Sequence, residues 1–176
     1  LYSSAASDVY KRQDETAQMA LRLDAAMAEV SLPNGQRSDD FARAERSAWE
    51  ETGEAYRPAL LADVPLIPAH TALLATTVYH GANPPGIVEL VPSESPRPAG
   101  WGAALVIVDG LIAQAVDDGI CQRFSHVPGM QELLLRAVSY RRHINGLHPT
   151  SRSNTRSHIE RVEQHLVSQA SAILER

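Results

Sequence analysis

Trp101-Gly102-Ala103-Ala104-Leu105-Val106-Ile107-Val108-Asp109-Gly110-Leu111-Ile112-Ala113-Gln114-Ala115-Val116 is the stretch on which the fold turns. Nowhere else in the chain are apolar side chains so continuous and charges so scarce, which marks residues 101–116 as the buried centre. Recurring alanines and the helical spacing of Leu111, Ile112, Ala115 and Val116 predict a helix, with Gly119 as its left-handed C-terminal cap. The competing reading takes 104–108 as a strand ending at the Asp109-Gly110 turn signal and pairing with the extended run 87–91. The run is too short for a bilayer, which needs about 20 apolar residues, and Asp109 interrupts it.

Outward from this centre the pattern stays helical. Residues 14–30 carry Ala20, Leu23, Met27 and Val30 at steps of three and four, and Asp39-Asp40 opens a second helix over 39–56. From 58 to 98 the chain holds 8 of its 11 prolines, so long helices cannot persist there. A short helix over 69–79 is predicted within that irregular middle, behind Pro68 and before Gly81. Pro128-Gly129 opens a helix over 130–144 that buries Leu133, Ala137, Tyr140 and Ile144 and stops at Asn145-Gly146. The last helix, 156–174, buries Ile159, Val162, Leu166, Ala170 and Ile173 behind a Ser157/Glu160 capping box. The expected fold is therefore mainly α: one domain over 14–176, with five or six helices around the central one. The alternative is an α+β domain with 87–91 paired to 104–108.

The chain has 176 residues, 21% of them charged and 44% hydrophobic, with a formal net charge of −5, the balance of a soluble globular protein. Its first 13 residues read like a translated sequencing adapter and are expected not to be native. Beyond them every basic residue is Arg, 14 in all, as a GC-rich bacterial coding sequence gives. Cys121 is the single cysteine and reads as a small buried hydrophobe, so no disulfide is expected and a cytoplasmic setting is. No cofactor or metal is expected: His158 and His165 share a helix face, but two imidazoles make too small a ligand set.

Charge is distributed unevenly. Between residues 14 and 63 there are 11 acids against 5 arginines, a balance of −6. Between 136 and 161, 6 arginines face only Glu160, a balance of +5. Arg141 and Arg142 lie before the loop between the last two long helices and Arg152 and Arg156 lie after it, which predicts an anion-binding face of four guanidinium groups. The same arginines could instead pair with acids of residues 39–54.

Two local patterns resemble known families. Val78-Tyr79-His80-Gly81 is similar to the Tyr-His-Gly element of ADP-ribosyltransferases, without the later acidic signature. The spacing from Arg152 to His158 resembles that of HEPN-type ribonucleases, small helical proteins that set Arg and His beside RNA; Arg136 to His143 and Arg142 to His148 share it. The resemblance implies metal-independent phosphodiester cleavage with Arg152 and His158 as catalytic residues, Arg stabilising the phosphate and His moving a proton. Ser153 stands where that family more often has Asn, Asp or His. Two functions are thus expected in competition. One is a non-catalytic helical interaction or regulatory domain, self-associating or bound to nucleic acid or another polyanion through the arginine face; the other is a HEPN-like ribonuclease.

Overall fold

A computed structural model of the protein describes residues 14–25, 47, 49–50, 61, 63–70, 78–79, 86–87, 93, 95–147 and 153–174. The fold is mainly α. Its helices are α1 (residues 14–25), α2 (Trp101–Ile112), α3 (Ile120–Arg123), α4 (Met130–Leu147) and α5 (Ser153–Leu174). Ser47, Trp49 and Glu50 are also helical; the rest of 39–56, and of 14–30 beyond residue 25, lies outside the described residues. Among those residues no helix is long and apolar enough to cross a membrane.

The 101–116 stretch is helical and buried, as its composition requires. Trp101 to Val108, Gly110 and Leu111 are all buried in α2, which packs against α4 and α5, themselves packed on each other. Leu133, Ala137 and Tyr140 from α4 and Ile159, Val162 and Leu166 from α5 enter the same core cluster, with Ile144 and Ala170 at its edge. Trp101 meets Trp49 edge-on at 4.9 Å and Tyr140 at 5.5 Å, an arrangement aromatic quadrupoles favour.

Among the described residues, four two-residue strands make two antiparallel pairs: β1 (Leu66–Ile67) with β4 (Arg97–Pro98), and β2 (Val78–Tyr79) with β3 (Gly86–Ile87). Ile87 thus pairs with Val78, and the pairing of 87–91 with 104–108 does not form because 104–108 is helix. The helix expected over 69–79 is corrected as well. Ala69 and His70 are not helical and Val78-Tyr79, a β-branched and an aromatic residue, is strand; residues 71–77 lie outside the described set.

The end of α2, the end of α4 and the start of α5 depart from expectation. α2 stops at Ile112, because Gln114 takes the left-handed conformation (φ 56), its N–H bonds the Leu111 carbonyl, and the Ala115 N–H bonds that of Gly110. That pair of reversed bonds is a Schellman motif, built on a glutamine where glycine is usual. Gly119, expected to be this cap, has φ −65 and stands at the start of α3. α4 runs through Asn145-Gly146 to Leu147, two residues short of Pro149. α5 starts at Ser153, which places Ser157 and Glu160 inside the helix instead of at its cap.

Candidate functional site

One arginine from α4, Arg141, and one from α5, Arg161, reach the C-terminal part of α2. Arg141 Nε donates to Asp109 Oδ1 at 2.7 Å and Arg141 Nη2 to Oδ2 at 2.6 Å, a two-bond fork on a partly buried carboxylate. Burial pushes the Asp109 carboxyl above its ordinary range, while the charge and hydrogen bonds of Arg141 pull it back. Arg142 pairs with Glu163 of α5. Arg156 pairs with Glu160 one turn along α5 at 3.3 Å, both exposed. Arg152 lies outside the described residues, as do His148 and His80.

Two side chains reach the end of α2 itself. Arg161 Nη2 donates to the Leu111 carbonyl at 2.8 Å, and His158 Nδ1 lies 3.1 Å from the Ile112 carbonyl. A carbonyl only accepts, so Nδ1 of His158 carries the proton in this bond. The last carbonyls of a helix have no partner within it and form the negative pole of its dipole, which a guanidinium complements. His158 and His165 do share a face of α5, but they work separately. His165 Nδ1 approaches Asp118 at 3.7 Å and its Nε2 meets Gln169 at 3.0 Å. Among the described residues no group of three His, Cys, Asp or Glu could hold a metal ion. Cys121 is buried, and burial pushes its thiol up to about 11, far from a reactive thiolate.

The opposite end of α2 carries a carboxylate that the sequence did not single out. Asp24 of α1 accepts the Gly100 N–H at 3.0 Å and the Gly102 N–H at 3.2 Å on the same oxygen, Oδ2. Gly100 adopts φ 95, and a Cβ on Gly102 would lie 2.9 Å from Asp24 Oδ1, so both glycines are needed for this approach. Burial pushes the Asp24 carboxyl up to about 7, against the pull of the two amides. α2 therefore has a carboxyl group at its positive end and a guanidinium at its negative end, each delivered by another helix.

Beside the Asp24 end lies a buried polar cluster. The guanidinium carbons of Arg97 and Arg136 sit 4.2 and 4.1 Å from the Trp49 ring, and Arg97 Nη1 also donates to the Ser95 carbonyl. Burial draws the Arg136 guanidinium below its ordinary range, Glu132 opposes that, and Arg97 adds to it. Arg136 is thus stacked in the interior on the Trp49 ring.

The sequence did carry a signal for Asp24. Ala17, Ala20 and Asp24 are spaced by three and four, so the acid falls on the buried stripe of α1. For Arg97, held between two prolines in the irregular middle, no local pattern pointed inward. Compared with protein-family models, curated proteins and solved structures, the chain matches none.

Proposed function

We propose that this protein is a non-catalytic helical interaction or regulatory domain, whose arginine- and histidine-rich half serves first to hold its own fold. The supporting observation is how those side chains are engaged: Arg141 on Asp109, Arg142 on Glu163, Arg156 on Glu160, Arg161 and His158 on the carbonyls of α2. A guanidinium in such a pair must release its partner before it takes a phosphate, which cancels much of the attraction that drives polyanion binding. Between 155 and 168, α5 carries Arg156, Glu160, Arg161 and Glu163, two charges of each sign, with Val167 46% exposed among them. Balanced charge around one apolar residue suits a protein surface of mixed polarity, a second copy of this chain included, better than a polymer of one sign.

Titration against RNA, single-stranded DNA and heparin at two salt concentrations tests this reading, with sedimentation measured for the wild type and for Val167→Asp. The expected result is no salt-dependent binding, together with self-association that Val167→Asp weakens. Binding that falls steeply with salt, and weakens evenly across sequences in Arg152→Ala/Arg156→Ala, would establish the polyanion face instead. RNA cleavage in the presence of chelator, lost in Arg152→Ala and in His158→Ala, would establish the ribonuclease reading.

A further inference from the structure

We propose that α1 is a clasp on the N-terminal end of α2, held while Asp24 carries a proton and loosened when that proton is lost. Asp24 is only 2% exposed. Its Oδ2 accepts the Gly100 and Gly102 amides, and its Oδ1 is buried with no hydrogen-bond partner among the described residues. A carboxylate ion needs donors on both oxygens to offset its lost hydration, whereas the neutral acid carries no charge to compensate. The ionised form is therefore the poorer fit in this position.

α1 buries little apolar surface. Its fully buried apolar side chains are Ala17 and Ala20, with Met19, Leu21 and Leu23 packed only at the edge of the core. Its ion pair from Asp14 to Arg123 is solvent-exposed, where such pairs contribute little. α1 thus has the small apolar burial typical of a unit that opens without the rest of the fold. Among the described residues, the groups acting on Asp24 are the backbone amides of Gly100 and Gly102 at the start of α2.

The direction with pH follows. Docked, the Asp24 carboxyl titrates near 7; released to water, it returns toward its ordinary 3.8. Docking then takes up a proton that opening gives back. α1 is held most firmly below about pH 4, loosens as pH rises toward 7, and changes little above that. The opening constant climbs by up to about tenfold per pH unit across that window.

Hydrogen–deuterium exchange on the full chain from pH 5 to pH 8 tests the clasp, comparing wild type with Asp24→Asn, which keeps an acceptor oxygen but has no proton to lose. The ratio of wild-type to variant exchange should rise at least tenfold over residues 14–25 and stay flat over α4. A flat ratio in α1 overturns the proposal. Gly102→Ala sets a methyl against Asp24 Oδ1 and should give fast, pH-independent exchange of α1; protected, pH-dependent exchange there would count against it. Should Asp24→Asn fail to fold, carbon-13 titration of Asp24 in the wild type decides: a midpoint near 4 refutes the clasp. A midpoint near 7 without a parallel change in α1 exchange refutes it too, leaving burial alone as the cause.

Discussion

Gln114 is the residue whose replacement has the clearest expected sign. An L-residue in the left-handed region costs roughly 1 kcal/mol that glycine avoids, partly offset by the extra freedom of glycine in the unfolded chain. Gln114→Gly should therefore raise the melting temperature by about 2–4 °C, and Gln114→Val, β-branched at the same φ, should lower it; scanning calorimetry reads both. Arg141 makes a second residue-level case. Arg141→Ala leaves the partly buried Asp109 carboxylate without its fork, at a cost of about 3 kcal/mol. In that variant burial acts on Asp109 unopposed, so its folded carboxyl titrates higher still. The protonated form is then favoured, and the stability it brings is present in acid and lost as pH rises. The deficit of Arg141→Ala against wild type in chemical denaturation should accordingly be smallest at low pH and largest at neutrality.

Among the helices, α2 is the element on which the others converge, and the two arginines of α5 at and near its end separate structure from decoration. Arg161 holds the Leu111 carbonyl, whereas Arg156 meets Glu160 with side chains 79% and 52% exposed. Arg161→Ala should cost about 1.5–3 kcal/mol, as loss of a charged donor does, and Arg156→Ala less than about 0.5 kcal/mol. Urea denaturation of the two variants side by side makes the comparison. The body of α2 was legible because a run of apolar residues has one place to go, and the stripe of α5 because its spacing is helical throughout. Its termination was not legible, since the Schellman bonds rest on a glutamine that no sequence signal marks. The strand pairs escaped for a different reason: Leu66 with Pro98 is a non-local match, and in both pairs two residues are too few for a periodicity to show. The arginine-rich segment is legible in the sequence as a concentration of charge. Its partners could not be read, because Asp109 and Glu163 meet Arg141 and Arg142 only once α2, α4 and α5 have packed.

Among the described residues one core cluster joins side chains of α1, α2, α3, α4 and α5, with Trp101 fully buried inside it. At pH 6, where the clasp is mostly protonated, unfolding followed by tryptophan fluorescence and by far-ultraviolet circular dichroism should give coincident curves. The described ion pairs of Arg141 and Arg142 are made to acids outside residues 14–63, while Arg123 reaches back to Asp14. The uneven charge of the sequence is therefore only partly neutralised by these contacts.

The capping of α2 from both sides also gives the molecule an order of assembly during synthesis. Asp24 leaves the ribosome 76 residues ahead of Gly100, so the front of α2 finds its capping carboxyl already made. His158 and Arg161 follow Ile112 and Leu111 by 46 and 50 residues, which at roughly 5–20 residues per second is a delay of roughly 2–10 seconds. Through that interval the most apolar helix of the chain stands with one end open. A translational pause between residues 112 and 158 would prolong that state, and chaperone capture should be greatest for nascent chains of those lengths.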